Sequence, residues 1–404
     1  MDLNRRGAEL DAADPLASYR SLFAGSESEL VYLDGNSLGR PLRAASQQLA
    51  DFVSQAWGSR LIRAWDEEWM ELPFTVGDRL GEVALGAAAG QTVVADSTSV
   101  MLYKLLRAAV DHQQRLDPAR TEIVADHANF PTDRYLVEGI AAERGLSIRW
   151  LTPDPELTVE ELAEALGPQT AAVLLSHITY QSGQIADVAA ITAATHDAGA
   201  LVLWDLCHSA GAVPIALDTW QVDLAVGCTY KYLNAGPGAP AFGYVAKRHQ
   251  DALTQPLQGW MGHAEPFVMG PGYRPAAGMR RFLTGTPPIL AMQPLISFVE
   301  LLGEVGIDAV RAKGIALTEF AIEVHDAVLA PLGVELGSSR DSAVRGNHVL
   351  LRHSRMREVT AALWERDVIP DFREPDGLRI GLSPLSTSFA EVARGLGVVA
   401  ELVG

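Results

Sequence analysis

Residues 200–211 read A-L-V-L-W-D-L-C-H-S-A-G, and this stretch guides the interpretation of the whole 404-residue chain. Its first half is an unbroken apolar run, which is typical of a strand buried on both faces of a parallel sheet. The run ends at Asp205 and follows a helical pattern at 188–199 that closes on a glycine. A helix leading into a fully apolar strand is the repeating unit of an α/β protein.

The same alternation continues in both directions along the chain. Helical spacing is predicted at 43–57, 135–145 and 188–199, and strands are predicted at 122–126, 171–177, 200–205, 223–228 and 242–246. Because these strands are largely apolar, we expect an α/β fold with a large domain built on a mostly parallel, doubly wound sheet. Ligands of such sheets bind beyond the carboxyl ends of the strands, so polar residues there are the first site candidates.

The last third of the chain has a different pattern. Long helical patterns at 291–305 and 308–330 precede strand-like runs at 348–352 and 378–382, which suits a separate, smaller α+β domain. We place the boundary at the proline-rich turn G-T-P-P, residues 285–288. The expected organisation is an N-terminal segment that contributes to the small domain, a large domain and a C-terminal small domain, at 1–60, 61–288 and 289–404.

Charge and composition narrow the class of protein. The net charge is −18 and the pI is near 4.9, which disfavours nucleic acid and anionic membranes as partners. Neither Cys207 nor Cys228 belongs to a C-x-x-C pair and the histidines lack zinc-site spacing, so we expect no disulfide framework and no metal. The first residues lack the apolar core of a signal peptide, and no run approaches roughly 18 apolar residues, so a cytoplasmic protein is expected.

Lys231 lies in C-T-Y-K-Y-L-N, between two tyrosines and before a glycine-rich turn. A lysine held among aromatic and small residues loses hydration, which favours the neutral, nucleophilic amine used in Schiff-base chemistry. Asp205 and Lys231 follow consecutive strands, so we expect both at one edge of the sheet. An aspartate beside a Schiff-base lysine is what pyridoxal phosphate (PLP) requires, because the carboxylate keeps the pyridine nitrogen protonated. Taken alone, Asp205 also fits a helix cap.

The phosphate of such a cofactor would need its own binding groups. Ser97, Thr98 and Ser99 precede an apolar-periodic helix. Hydroxyls and free backbone N–H groups at a helix N-terminus bind phosphate well, although an ordinary helix cap has the same sequence. Together with the aspartate and the lysine, these residues favour the phosphate site.

The turn H-A-N-F-P-T-D, residues 127–133, comes directly after a predicted strand and offers a face for the cofactor ring. Phe130 would stack on the ring, while Thr132 and Asp133 would contact its polar edge. A core phenylalanine beside a proline turn is the alternative. Ser176 ends another predicted strand and is a weaker candidate of the same kind.

Arg379 lies within the apolar run L-R-I-G-L of the small domain. A guanidinium binds carboxylates bidentately and an amino-acid substrate carries one, whereas a strand-face ion pair is the alternative. A competing motif, G-P-G-A-P-A at 236–241, matches a dinucleotide-binding loop. Prolines stand where its helix should begin and no acidic residue follows about 20 positions later, so we expect no nucleotide site there.

Together these motifs resemble those of the kynureninases, PLP-dependent hydrolases of the aspartate aminotransferase-like fold (fold type I). The resemblance extends over nearly the whole chain. It rests on eight stretches in order: Y-L-D-G-N-S-L-G (32–39), D-S-T-S-V (96–100), F-P-T-D (130–133), W-D-L-C-H-S-A-G (204–211), C-T-Y-K-Y-L-N-A-G-P-G (228–238), G-W-M-G-H (259–263), R-F-L-T-G-T-P-P (281–288) and L-R-I-G-L-S-P-L (378–385). One departure is Met101, where the family pattern implies asparagine.

The resemblance implies a role for each matching residue. Lys231 resembles the Schiff-base lysine, Asp205 the partner of the pyridine nitrogen, and Phe130 the stacking ring. Arg379 matches the arginine that binds the substrate carboxylate. Tyr230 is the implied proton relay, with phosphate binding as the alternative role.

Further positions match the surroundings of the cofactor and substrate. The cofactor-binding positions are Ser97, Thr98, Thr132, Asp133, Ser176, His208 and Tyr230. Trp260 and Thr286 match positions that reach the phosphate region from a partner subunit. Asn36 and Ser37 match substrate-binding positions. The family therefore suggests a homodimer with active sites at its interface.

The function that the resemblance implies is hydrolysis of L-kynurenine to anthranilate and L-alanine in tryptophan catabolism. The motifs leave open whether the substrate ring carries a 3-hydroxyl, and Thr286 bears on that choice. Alternatives are a class V aminotransferase or cysteine desulfurase, a secondary-metabolism relative acting on a substituted kynurenine, and a non-catalytic PLP-binding protein. Tyr230 argues against the desulfurases, which usually carry histidine before the lysine.

Overall fold

The computed structural model describes residues 2–153 and 156–404, so Met1 of the expected N-terminal segment lies outside it. The helices are α1 Leu3–Ala13, α2 Arg43–Asp51, α3 Leu72–Leu80, α4 Thr98–Leu116, α5 Pro131–Arg144, α6 Val159–Ala165, α7 Val188–Asp197, α8 Ile289–Val305, α9 Ile307–Val324, α10 Met356–Trp364 and α11 Phe389–Val403. The strands are β1 Val31–Tyr32, β2 Thr92–Ala95, β3 Glu122–Asp126, β4 Ser147–Leu151, β5 Thr170–Ser176, β6 Leu201–Asp205, β7 Leu224–Gly227, β8 Ala241–Val245, β9 Glu335–Leu336, β10 His348–Arg352, β11 Val368–Ile369, β12 Asp371–Arg373 and β13 Gly377–Gly381.

The large sheet has the strand order β2-β8-β7-β6-β5-β3-β4. Strand β8 runs antiparallel to both of its neighbours, and the remaining neighbouring pairs are parallel. The expected α/β fold with a mostly parallel sheet is confirmed, and each strand predicted for it lies within about a residue of its expected position.

The two faces of this sheet are covered by different apolar cores. In β6, Val202 and Trp204 pack into one core, and Leu201 and Leu203 pack into the other. All four side chains are buried. Burial on both faces explains why the strand is apolar at every position instead of alternating with polar residues.

The carboxyl ends of β5, β6 and β7 bring the first site candidates together. Ser176 ends β5 and is the register partner of Asp205, which ends β6. Strand β7 pairs in parallel with β6, and Lys231 follows shortly after its end at Gly227. The expectation that Asp205 and Lys231 lie at one edge of the sheet is therefore confirmed.

A further apolar core surrounds the antiparallel sheet β12-β13-β10-β9. The N-terminal segment contributes to this part, because β1 pairs with β11 and α1 packs against α11. Helix α8 instead packs against α2 and α3 and shares a core with the large sheet. The domain ranges 1–60, 61–288 and 289–404 stay predictions, and the packing of α8 favours a boundary nearer Gly306.

Two predicted helices end differently from expectation. Regular α-helical bonding in 43–57 stops at Asp51, and π-helical turns follow over Phe52–Arg60. Helix α9 ends at Val324 and is followed by π-helical turns over His325–Leu329. Apolar spacing indicates that a helix is present, but over so few residues it does not distinguish α-helical from wider π-helical turns.

Across the described ranges, no single helix is both long and apolar enough to cross a membrane. One pair of helical segments, α8 and residues 307–332, is long and apolar enough when taken together, but the two are bent by 87°. These ranges also hold no cluster of three or more His, Cys, Asp or Glu side chains suited to a metal ion. Cys207 and Cys228 are free thiols, and both are buried.

Candidate active site

A cavity of about 260 Å³ lies at the carboxyl edge of the large sheet, where the small domain and the N-terminal segment meet it. Twelve of the fifteen residues predicted for the site line it: Asn36, Ser37, Thr98, Phe130, Thr132, Asp133, Ser176, Asp205, His208, Tyr230, Lys231 and Arg379. The lining also includes Ser99, Tyr180, Cys207 and Arg373. The structure therefore gathers most of the candidates around one space.

Lys231 is the amine of this cavity, and its hydrogen-bond partner is a histidine. Its Nζ lies 3.2 Å from His208 Nε2 and 5.9 Å from the centre of the Phe130 ring. Burial, and next the positive charge of Lys231, hold the pKa of the His208 imidazole well below its usual range. His208 is therefore neutral and able to exchange a proton with the amine.

Two interacting carboxyl groups, Asp133 and Asp205, line the same cavity as the lysine. Asp205 is buried, and its Oδ1 accepts a 2.7 Å hydrogen bond from the backbone N–H of Cys207. Burial, and next the neighbouring Asp205, raise the pKa of the Asp133 carboxyl well above its usual range. Asp133 therefore favours its protonated, neutral form.

Ser176 is hydrogen-bonded to Asn129, a residue that was not among the predicted site residues. Its Oγ donates a 2.7 Å hydrogen bond to Asn129 Oδ1, which also accepts from the backbone N–H of Phe130. Asn129 is buried, and its Oδ1 joins Ser176 to the backbone of Phe130, the residue that precedes α5. The sequence feature that could have marked Asn129 is its place in the turn after β3, directly before Phe130.

Phe130 presents its ring to the cavity. It is 37% exposed, so the alternative of a core phenylalanine is wrong. Pro131 begins α5 directly after it, and the ring meets Tyr180 edge to face with 5.5 Å between centroids. Tyr180 comes from an irregular loop after β5, where no periodic pattern marks it.

The N-terminus of α4 opens at the cavity. Thr98 and Ser99 line the cavity, whereas Ser97 caps the helix by accepting from Val100 N at 3.5 Å and does not line it. The structure thus places Ser97 in the helix-cap role that we held as the alternative. Met101, the departure from the family pattern, is fully buried in the core and does not line the cavity.

Arg379 on β13 is 1% exposed and is tied to several protein groups. Its Nη1 donates to Tyr180 O at 2.6 Å, and its Nη2 donates to Ser37 Oγ at 3.1 Å and to the Asp371 carboxylate. Asp371 is its register partner on β12. Arg379 therefore lines the cavity and also makes the strand-face ion pair that was the alternative.

A close approach of the backbone brings the N-terminal segment to the lysine. Gly39 N donates to Tyr230 O at 2.8 Å, and a Cβ at Gly39 would lie 2.4 Å from Lys231 O. Glycine is required there because any side chain would push the segment away. This contact places Asn36 and Ser37 in the cavity.

Trp260 and Thr286 lie away from the cavity in this chain. Trp260 is 39% exposed, and its ring lies 5.9 Å from Phe267. Thr286 is exposed. Their expected contribution from a partner subunit stays a prediction.

Asp34→Asn is expected to stabilise the holoenzyme above pH 6. Burial, and next Asp371, raise the pKa of Asp34 to about 6, so the folded state binds this proton more tightly than the unfolded chain does. Wild-type stability is then lost as pH rises from about 4 to about 6, by about 3 kcal/mol. The variant escapes this loss, because its amide does not ionise. Unfolding at pH 4 and pH 8 measures the difference.

Asp66→Asn, which neutralises an exposed carboxylate, is the matched control for that comparison. A gain from Asp34→Asn of equal size at both pH values would contradict the assigned protonation of Asp34.

Comparisons with known proteins identify related families and relatives. A family profile described as "Aminotransferase class-V" matches residues 86–332, and one described as "Kynureninase C-terminal domain" matches residues 310–399. A protein named Kynureninase from Burkholderia pseudomallei (strain K96243) is 42% identical over 97% of this chain and 93% of its own length. A Kynureninase from Pseudomonas fluorescens is 42% identical over 98% of this chain and 94% of its own length.

Solved structures share the fold at lower identity. A C-DES mutant with glycine covalently linked to its PLP cofactor superposes with a TM-score of 0.83 at 20% identity, covering 95% of this chain and 99% of that one. A cysteine desulfurase from Thermococcus onnurineus NA1 gives a TM-score of 0.80 at 19% identity, covering 96% and 97%. The expected fold type is confirmed by these likenesses, which concern the fold alone.

Proposed function

The chain belongs to the kynureninase family, and from this premise we propose that it hydrolyses L-kynurenine to anthranilate and L-alanine with PLP as its cofactor. The resemblance drawn from its motifs is confirmed, because the named relatives align with nearly all of the chain. The observation that carries the proposal is the meeting of Lys231, Asp205 and Phe130 in one cavity.

The residues present fit PLP. Within the described chain, Asp133 Oδ2 and Asn129 Nδ2 are buried without a hydrogen-bond partner beside this cavity. Buried polar atoms without partners are costly, so a polar ligand is favoured there. Lys231 offers an amine, Asp205 a carboxylate for the ring nitrogen, and the N-terminus of α4 offers N–H groups for the phosphate.

PLP, when bound, supplies an electron-withdrawing ring that stabilises negative charge on the carbons of an amino-acid substrate. Lys231 Nζ would hold the cofactor covalently and later move the proton of the substrate's α-carbon. Asp205 would keep the ring nitrogen protonated. His208 contacts the amine at 3.2 Å and would orient it within the cavity.

Tyr230 is the residue that we assign to proton transfer at the substrate's γ-carbonyl, to which water adds. Burial, and next the neighbouring Cys228 and Cys207, raise the pKa of its phenol, so it keeps a proton that it can donate. Holding the phosphate is the alternative role. Full turnover by Tyr230→Phe, with cofactor affinity unchanged, would remove both roles.

The experiment that tests the proposed function is turnover by the purified holoenzyme. We expect anthranilate and alanine in equal amounts from L-kynurenine. The ratio of kcat/KM for kynurenine to that for 3-hydroxykynurenine decides between the two ring types, and we favour the unsubstituted ring. Sulfide released from cysteine, without anthranilate from kynurenine, would support the desulfurase alternative and refute the proposal.

The desulfurase alternative has little support in the cavity. Its chemistry needs a cysteine that moves to take up sulfur. Cys207 is 8% exposed and Cys228 is 2% exposed, and each lies close to a strand end of the rigid sheet. Cys207 lines the cavity but lies two residues after the end of β6, and Cys228 directly follows β7, so neither lies on a long loop that could carry its sulfur to a substrate.

We extend the proposal to a cytoplasmic homodimer. Exposed apolar side chains cluster along one loop, at Trp260, Phe267, Val268 and Met269, and suit burial by a second copy of the chain. The free thiols Cys207 and Cys228 suit a reducing compartment. Sedimentation of the active holoenzyme checks the assembly, and a fully active monomer would contradict it.

A further inference from the structure

The guanidinium of Arg379 is nearly saturated by the protein itself. Of its five N–H groups, one donates to Tyr180 O and two on Nη2 donate to Ser37 Oγ and Asp371. With the Asn36 amide in the orientation that its neighbours require, its oxygen accepts from Arg379 Nε at 3.0 Å. One N–H remains on Nη1, whereas bidentate binding of a carboxylate needs two parallel N–H groups.

Arg373 is in the opposite situation. It lines the same cavity, and its side chain is 35% exposed. Its guanidinium pairs with Asp371, with 2.8 Å between Arg373 Nη2 and Asp371 Oδ2. In the part of the chain that the structure describes, its Nε is buried without a partner. Arg373 therefore has unused donors at the cavity.

Asp371 connects the two arginines. Its Oδ2 contacts both Nη2 of Arg373 and Nη2 of Arg379, and its side chain is 15% exposed. Asp34 is a second carboxyl group within electrostatic range of both arginines, so two guanidinium groups face two carboxyl groups at this wall. The unused donors of Arg373 are therefore the groups that a ligand carboxylate would meet.

We propose that Arg373 is a second carboxylate-binding residue of the substrate site, which binds the α-carboxylate of the amino-acid substrate beside Arg379 while Asp371 holds both arginines in place. This inference rests on the proposed function, since it assigns the substrate of that same cavity. It makes Arg373 a determinant of specificity for amino acids over amines.

The test compares ligands that differ in the carboxylate alone. L-Kynurenine is the substrate, and its decarboxylated analogue, which keeps the aryl ketone and the amine, is the competitive inhibitor. With Arg373→Gln, we expect KM for L-kynurenine to rise about 10- to 100-fold, the range for a lost hydrogen bond to a charged group. We expect kcat to stay within about threefold and Ki of the analogue to be unchanged.

Arg373→Lys should recover part of the lost affinity, because it restores the charge without the fork. Arg357→Gln is the matched control, since it removes an exposed arginine that pairs with Glu374 outside the cavity. An unchanged KM in Arg373→Gln, or an equal rise of KM and of Ki for the analogue, would overturn the proposal. The second result would mean that Arg373 only maintains the shape of the cavity.

Failure of the proposed function is separable from failure of this inference. If the wild-type holoenzyme releases no anthranilate, the affinities of L-alanine and of ethylamine can still be measured from the cofactor's visible absorbance. Arg373→Gln should then weaken L-alanine binding and leave ethylamine binding unchanged. Equal weakening of both ligands, or no change in either, would refute the role of Arg373.

Discussion

Lys231→Ala is expected to lower kcat for L-kynurenine by at least about 10³-fold, since it removes both a covalent anchor and a general base. Among the described residues that line the cavity, Lys231 alone carries an amine. His208, its 3.2 Å neighbour, is held neutral and accepts a proton but cannot form the covalent link. Steady-state turnover and the cofactor absorbance of the same preparation measure the effect.

The variant should still bind PLP, because Asp205, Phe130 and the N-terminus of α4 are unaltered. Borohydride reduction should fix the cofactor to Lys231 in the wild type. In the variant this link cannot form, so the cofactor should be released when the protein is denatured. Lys247→Ala removes an exposed lysine and serves as the matched control. Anthranilate release by Lys231→Ala at more than a few per cent of the wild-type rate would refute the assigned role.

The central part of the site could be predicted because the fold itself defines its location. Apolar runs give parallel strands, and their carboxyl ends meet at one edge, so Asp205 and Lys231 were placed together without any contact being known. Phe130 and Thr98 follow from the same rule, since each comes shortly after a strand and at the start of a helix. Local pattern and chain order were sufficient for these residues.

Residues reached through irregular structure could not be predicted in this way. Tyr180 lies in a loop after β5, and Arg373 lies on a three-residue strand whose D-F-R sequence is that of an ordinary solvated edge. Their places depend on how the small domain meets the large sheet, which no short-range periodicity encodes. Ser97 shows that a local sequence signal can also be ambiguous. A serine before a helix can cap the helix or bind a phosphate, and the structure has Ser97 as a cap.

The second large effect is expected for Asp205→Asn, which should lower kcat/KM at least about 10²-fold, as the loss of one preorganised electrostatic contact does. Asparagine preserves the shape and can still accept from Cys207 N, but it lacks the charge that holds a proton on the ring nitrogen. Anthranilate formation under kcat/KM conditions is the measurement, and the cofactor's absorbance confirms that each variant is loaded.

Asp133→Asn provides the internal comparison, because burial and Asp205 already raise the pKa of Asp133 and keep it protonated. Replacing a neutral carboxyl by a neutral amide changes no charge, so its effect on kcat/KM should be at least tenfold smaller than that of Asp205→Asn. Equal losses in the two variants would mean that the carboxyl groups share one proton evenly. The separate roles assigned to Asp205 and Asp133 would then be wrong, even though both residues line the same cavity.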